Sequence, residues 1–599
     1  MTRRRLTAAA LLVCAMILSA CSGLPMSGPV GAGYSAEDAP EGADFSFRPN
    51  SPQPGATTEQ IVTGFIDAAT SPEGTWAVAQ EFLTEKFREE WQATAGVTIA
   101  EPGSRRIQGE EKAGGEKSDD EKTGEEQAGD DDPTTDDEEK VSPSGGDVEH
   151  VTMTYTSAAN VDEFGAYSVA APVSQALEFT LEQEDGQWRI SAAPPGVIMD
   201  SDFFEDVYRS YSLMFFDPSW NYLVPDIRWF PYRSAGVATR IARAVVDGQP
   251  SDWLAQSVAT AFPQGTALAS GSVVSVDAGG VASISLTDAA LEAAPEVLAR
   301  MQRQLLSSLR TAGINDVAMM VGGVELDVAA SGVLPTTLEA WPLVLTDNEV
   351  GYLTGNGLEP LPGGIGQVIA STNPTAFARG RTGEVAAVKL PDGRVARATA
   401  EDGIAVVDDR EGLIDPTIDT GNYIWSVPSA EPGAVHAVAS DGIVRDIAGE
   451  WPGASAISSM QVSRDGTRMV AIVTEAGRDW VVAAGVIRDA DNNVPTELGV
   501  PHKLALLDGS GFAVTWLDDA TVGVLLRGET DVILLTQTVG GLGAGVIAPA
   551  PDSTTIAAGA SITVPRVLTA EGVLFARRGS AWNELAEAVQ VLGTQLGVE

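Results

Sequence analysis

The sequence predicts a multidomain, exported chain: two small α+β domains followed by an all-β domain with the repeat character of a β-propeller. Three observations carry this expectation. An export segment ends at Cys21, and 599 residues are too many for one hydrophobic core. Near residue 340, mixed helix and strand patterns give way to short strands punctuated by Asp-Gly turns.

The first element is the signal segment. Arg3, Arg4 and Arg5 precede an apolar run from Leu6 to Leu18. About 13 apolar residues fall short of the roughly 20 a membrane-spanning helix needs, so residues 1–20 read as a removable signal. Leu18-Ser19-Ala20-Cys21 has the pattern of a lipobox, with cleavage between Ala20 and Cys21. Cys21 would then become the mature N-terminus, carrying an S-diacylglycerol and an N-acyl group. Two or more acyl chains give stable membrane anchoring where one does not. A plain secretory signal cut after Ala20, or a twin-arginine signal, are the competing readings. Cys14 lies in the signal, so Cys21 is the single mature cysteine and no disulfide is available.

The formal net charge is −46, and removal of the three signal arginines takes it to −49. Such a surface repels nucleic acid and anionic head groups, so nucleic-acid binding is disfavoured and the lipid must hold the protein at the bilayer. Seven lysines against thirty arginines fit a GC-rich genome.

Residues 21–55 are rich in Gly, Pro, Ser and Ala and read as a flexible tether. An N-terminal α+β domain is expected over 56–200. Thr57 and Gln60 have capping-box spacing, and Ile61, Phe65, Ile66 and Ala69 recur at helical intervals. Trp76, Phe82, Leu83, Phe87 and Trp91 predict a second helix. An acidic insert, 101–147, interrupts the domain, with 15 acidic residues and four lysines between Gly109 and Lys140. It buries almost nothing and is expected to be disordered. Asp130-Asp131-Asp132 lacks the spaced ligands of a calcium loop. Strand runs follow at Val151 to Thr156, Ala166 to Ala170, Ala176 to Glu182 and Trp188 to Ala192, the last two joined by Asp185-Gly186. Two helices and a strand meander are similar to the cone-shaped nuclear-transport-factor-like fold.

Residues 202–332 form the second expected α+β block. Val237, Ile241 and Val245 lie on one face of a helix from Gly236 to Gly248. Ser272 to Val276 and Ala282 to Leu286 flank the turn Asp277-Ala278-Gly279-Gly280. Leu291, Leu298, Met301, Leu305 and Leu309 predict an amphipathic helix, followed by a strand at Asp316 to Val321. Helices packed on a small mixed sheet follow.

From 340 to 599, Asp-Gly pairs at Asp392, Asp402, Asp441, Asp465 and Asp508 separate β-rich runs such as Val385 to Leu390, Met469 to Thr474, Leu504 to Leu507 and Val522 to Leu526. With Trp425, Trp451, Trp480, Trp516 and Trp582, these suggest a β-propeller of six or seven blades at about 40 residues each. A pair of β-sandwiches is the other candidate. Val532 to Pro551 contains no acidic or basic residue and could be mistaken for a membrane span, but Gly540, Gly541, Gly543, Gly545, Pro549 and Pro551 oppose a spanning helix.

No catalytic constellation is legible. His150, His436 and His502 are scattered, no H-E-x-x-H or G-x-S-x-G is present, and no cofactor or metal is expected. Asp489-Ala490-Asp491-Asn492-Asn493 begins like a calcium loop, but Val494 holds the glycine position and Val500 the glutamate position. It reads as a hairpin turn. The chain is therefore expected to bind rather than catalyse. Two other classes are compatible with the sequence: an envelope glycan or peptidoglycan binder acting through propeller aromatics, and a carboxylate-based glycoside hydrolase.

In its order of parts the chain resembles the actinobacterial LpqB lipoprotein family. The resemblance rests on Cys21-Ser22-Gly23-Leu24-Pro25, Asp185 to Pro195, and Tyr208 to Pro231 with Phe216-Asp217-Pro218 and Leu223-Val224-Pro225-Asp226. It also rests on Trp253-Leu254 with Ala261-Phe262-Pro263, and on Asp415-Pro416 through Trp425. It implies that the middle block is a GerMN domain. It further implies an accessory protein for a membrane sensor histidine kinase of the MtrB type, acting at the extracytoplasmic face in envelope growth and division. The contact is then expected from Asp202 to Glu599. The acidic insert departs from the family pattern.

Because lipobox cleavage requires the lipidated thiol, Cys21→Ser is expected to lose metabolic lipid label and accumulate with its signal uncut. Normal labelling and maturation of this variant would remove the lipoprotein assignment.

Overall fold

The computed structural model describes residues 49–72, 76–109, 148–231, 236–247, 249–449, 451–529, 531–547, 552–561 and 564–597. The signal segment, Ala20, Cys21 and most of the tether lie outside them, as do residues 110–147 of the acidic stretch.

Helix α1 (Thr58–Ala69) opens with a complete capping box between Thr57 and Gln60, and buries Ile61, Val62, Phe65 and Ile66. Beyond it, the single second helix expected from the aromatic spacing is not formed. Trp76 adopts a left-handed conformation ahead of a one-turn α2 (Ala77–Gln80), and Thr84 caps a separate α3 (Glu85–Glu90). Tertiary packing overrides the periodicity here. The Trp76 indole donates to Ala69 O, and the Phe82–Thr84 backbone bonds to Ile190 in the sheet.

That sheet comprises β1 (Gly96–Ala100), β2 (Arg106–Gly109), β3 (Val148–Asp162), β4 (Tyr167–Val169), β5 (Ser174–Glu184), β6 (Gln187–Ala192) and β7 (Val197–Asp200). Its order is β6-β5-β3-β1-β7, with β2 and β4 also on β3. The fifteen-residue β3 is long enough to pair with β5 along one half and with β1 along the other. Asp185 and Gly186 take φ of 51° and 72°, the two positive values that a tight type I′ hairpin requires.

Two expectations change in this domain. The stretch 101–147 does not lack structure from its first residue: Glu101 to Ser104 form a turn, and β2 pairs with β3 from Arg106 opposite Thr154 to Gly109 opposite Val151. Ile107 packs against the core, which favours this pairing. The expected boundary at 202 also cuts through a core, because Phe204, Tyr208, Ile227 and Trp229 pack with the N-terminal domain.

Helix α4 (Ser201–Val207) leads into a long hairpin, β8 (Tyr208–Phe216) and β9 (Leu223–Pro231). Helix α5 (Val237–Val246) follows, burying Ile241 and Val245 as its spacing predicts. A mixed sheet then orders β10 (Ser275–Val276), β11 (Val281–Leu286), β12 (Asp316–Val321) and β13 (Val324–Glu325), with β11 and β12 parallel. The crossover between them contains α6 (Pro295–Leu309), which begins at Pro295 rather than at Leu291. Leu291 falls in a separate 3-10 turn and is exposed. Proline at the first helical position has no N–H to satisfy, and so sets the start. Helices α5 and α6 pack together and against β8, and α6 also packs against β12.

Residues 343–595 close into six antiparallel blades: 343–360, 376–408, 417–446, 454–506, 510–547 and 553–586. Val591–Leu592 returns to pair with Leu343–Thr346, so the end of the chain completes the first blade and leaves no open ring. The Val532 to Pro551 region forms two strands joined by a turn, Val532–Thr538 and Gly543–Ile547. The fourth blade shows how a strongly acidic chain stabilises such a ring. Asp465, in the Ser463-to-Arg468 turn, accepts from Ser463, Thr467 and Arg468, and both Asp465 and Arg468 are at most 2% exposed. Burial by itself would raise this carboxyl, but the Arg468 charge and the three donors hold it below the ordinary carboxylate range.

Two expected outcomes follow from these features. Deleting 104–144 should lower the thermal midpoint by removing β2, whereas deleting 112–144, which keeps it, should leave the midpoint nearly unchanged; equal effects would sever β2 from domain stability. Asp465→Asn leaves the Arg468 guanidinium buried without a countercharge, and should cost about 3–5 kcal/mol in chemical denaturation at neutral pH. Because the folded carboxyl is depressed, this contribution is present above the usual carboxylate pKa of about 4 and disappears as the pH falls through the lower folded value, so the two proteins should converge in acid.

Candidate functional site

The three domains meet on one element, the β8–β9 hairpin. At its base the Trp229 ring packs against Phe204 at 4.9 Å and Tyr167 at 6.4 Å. Its backbone N–H donates to Gly165 O at 2.8 Å, and its indole N–H crosses to the propeller, donating to Gly540 O at 3.0 Å. Gly541 accommodates the ring, since a Cβ there would lie 2.9 Å from Trp229 Cζ2. One step along β9, Arg228 is clamped by Asp226 at 2.8 Å and donates to Phe164 O and Gln249 O. Asp226 in turn accepts from the backbone and hydroxyl of Ser251. At the tip, Asp217 Oδ1 accepts from the Asn221 and Tyr222 amides, and the Arg381 guanidinium of the second blade lies over the Tyr222 ring at 5.1 Å.

A second weld joins the middle domain to the fourth blade. Trp253 stacks on His502 at 5.5 Å with an interplanar angle of 10°. A Cβ at Gly485 would meet Ser257 Oγ and Trp253 O, so that blade position has to be glycine for this approach. Burial lowers the His502 pKa to about 4, against the pull of Asp226, and keeps the imidazole neutral at physiological pH.

The propeller axis is filled by the protein's own chain. Linker carbonyls accept from arginines of three blades: Pro335 from Arg381, Thr336 from Arg464, and Ala340 from Arg566. Thr336 also donates to Asp519 at 2.7 Å. With Leu592 to Leu596 entering from the other terminus, the remaining axial cavity is about 20 Å³, room for about one water.

The residues singled out from the sequence are distributed rather than gathered. Cys21 and the Ala20–Cys21 bond lie outside the described residues. His150 is on β3, His436 stands between Asp408 and Asp446 in the third blade, and His502 is in the fourth. Asp489 accepts from the Asp491 and Asn492 amides in a hairpin turn, as expected. No group of three or more metal-ligating side chains occurs among the described residues. Trp425, Trp451 and Trp516 are buried in the blades, while Trp480 is covered by Lys503 at 4.5 Å.

The structure adds a cavity of about 470 Å³ between the N-terminal and middle domains, walled by Val97, Val161 and Phe164 on one side and by Arg240, Arg243 and Asp247 of the α5 segment on the other. Tyr208, Trp229 and Phe230 line it from the hairpin. The sequence offered one weak sign of it, the arginines three apart on an amphipathic helix; the facing wall, Val97, Val161 and Phe164, comes from distant parts of the chain.

Comparison with known proteins matches three family models in chain order. Residues 51–205 match Lipoprotein LpqB, N-terminal domain; residues 212–327 match Sporulation and spore germination; and residues 348–592 match Lipoprotein LpqB beta-propeller domain. A curated relative called Lipoprotein LpqB from Cutibacterium acnes is 23% identical and aligns over 99% of each chain. Another of that name from Thermobifida fusca is 25% identical over 88% of this chain and 83% of its own. Among solved structures, TolB from Acinetobacter baumannii aligns with 43% of this chain and 66% of that one, at 13% identity and a TM-score of 0.32. With the two LpqB domain models flanking the germination-type domain, and relatives of that name aligned along nearly the whole length, the chain belongs to the LpqB lipoprotein family.

Proposed function

We propose that this protein is a lipid-anchored accessory lipoprotein of the extracytoplasmic membrane face that binds a sensor histidine kinase and modulates its signalling. The observation that supports this reading best is the welded body: three domains held on one hairpin, with the propeller axis occupied by the linker. Such a body offers broad outer surfaces for a partner, of the extent that a specific protein interface needs, instead of a hinged or axial reaction centre. No helix among the described residues is long and apolar enough to cross a membrane. Anchorage through a lipid on Cys21 is supported by the lipobox pattern Leu18-Ser19-Ala20-Cys21. Confinement in the same bilayer raises the effective concentration of a neighbouring receptor, and modest intrinsic affinity then suffices.

Because Phe204, Tyr208 and Trp229 belong to the N-terminal core, a fragment beginning at 202 would expose them. The test therefore uses the whole mature chain without its lipid, titrated against the kinase's outer region, together with kinase phosphorylation in membranes with and without the lipoprotein. Weak binding in solution and altered phosphorylation in membranes are expected. Absence of binding, together with unchanged phosphorylation, would sink the assignment.

A further inference from the structure

We infer that the cavity between the N-terminal and middle domains is a binding site for an uncharged hydrophobic small molecule, which the Phe164 ring meets at the exposed edge. The inference is independent of the kinase reading and rests on how fully the polar groups around this space are already used.

Arg228 is taken up by Asp226 and by the Phe164 and Gln249 carbonyls. Asp162 Oδ1 accepts from the Phe164 and Ala166 amides at 2.8 and 2.9 Å. The Trp229 indole N–H donates to Gly540 O, and Arg240 is engaged as well. Among the described residues, no buried side-chain polar atom lacking a hydrogen-bond partner belongs to the lining. The charges also balance, with Asp162, Glu163 and Asp247 against Arg228, Arg240 and Arg243. Such a site offers an ionised ligand no unpaired buried partner and no net charge. An ion entering it would lose hydration without compensation.

What remains is apolar. Val97, Val161, Trp229, Phe230 and Ala244 supply the wall, and the volume of about 470 Å³ lies in the range of small-molecule sites. Water there finds few free groups to bond, so an apolar body that displaces it gains free energy. Phe164 carries this wall out to solvent, since it lines the cavity and is nevertheless 58% exposed. One exposed aromatic carries little meaning by itself, but this one is fixed in place. Its N–H donates to Asp162, its carbonyl accepts from Arg228, and the next residue, Gly165, accepts from the Trp229 amide. Gly165 has a φ of 83°, and a Cβ there would lie 2.8 Å from Trp229 O, so this close approach to β9 needs glycine. The backbone thus holds an aromatic ring at the edge of an apolar space, where a bound hydrophobe would cover it.

The probes are N-phenyl-1-naphthylamine, which is uncharged, and 1-anilinonaphthalene-8-sulfonate, which carries a sulfonate on the same skeleton. Both are titrated by fluorescence into the mature chain without its lipid at about 0.5 M salt, where screening removes the long-range repulsion of an anion. The uncharged probe should bind at roughly 0.1 mM, as a ligand of its size can, and the sulfonate about tenfold more weakly or not at all. Ala244→Phe, which fills the cavity from α5, should weaken the uncharged probe about tenfold. Phe164→Ala removes an exposed ring, so it should weaken that probe about fivefold while leaving the melting temperature within a few degrees. Failure of the uncharged probe to bind, sulfonate binding as tight or tighter, or uncharged-probe binding indifferent to both variants would each overturn the assignment.

Discussion

The structure depends on what happens at Trp229. Its ring completes the aromatic cluster of the N-terminal domain with Phe204 and Tyr167, its strand belongs to the hairpin on which the middle domain is built, and its indole N–H is satisfied by Gly540 of the propeller. A large apolar side chain with a single polar handle suits a junction of this kind, because each neighbour meets a different part of it. The buried Asp226–Arg228 pair beside it fixes the loop that carries Trp253 to the fourth blade. The domains are consequently not beads on linkers. Each contributes side chains to the cores or contacts of the others.

That arrangement gives the linker near residue 336 a second role. Its carbonyls are the acceptors that the axial arginines of three blades require, so the covalent connection between domains also serves as the filling of the propeller ring. Arg464 and Arg566 sit where burial lowers the pKa of a guanidinium, the latter to about 10, and carbonyl acceptors offset that desolvation. With its axis occupied, the propeller is left with its outer surfaces and loops exposed.

The large negative charge is handled by separation. Several acidic residues that enter the interior do so as hydrogen-bonded partners of arginine, as at Asp465–Arg468, Asp226–Arg228 and Asp419–Arg488, while buried Asp217 is held by the Ser219, Asn221 and Tyr222 amides. The remainder stays in solvent, where screening over roughly 8 Å at physiological salt moderates repulsion. A chain with seven lysines and thirty arginines is suited to this, since the planar guanidinium satisfies a buried carboxylate at two points and also caps carbonyls.

Local chemistry was legible in the sequence wherever neighbouring residues decide the outcome. The capping box at Thr57 and Gln60, the Asp185-Gly186 turn, the strand Asp316–Val321 and the Asp-Gly punctuation of the propeller all depend on contacts within a few residues, and the structure shows each of them. The broken second helix, the strand at Arg106–Gly109 and the true edge of the N-terminal core did not, because each is settled by a partner far away in the chain: Ile190, β3 and Trp229. The cavity is the limiting case. Tyr208, Arg240 and Val161 carry no shared spacing, and they come to line one space only because the hairpin brings the N-terminal sheet and the middle-domain helix together. Identity of the domains could be read residue by residue, whereas their junction is a property of surfaces that exist only after folding.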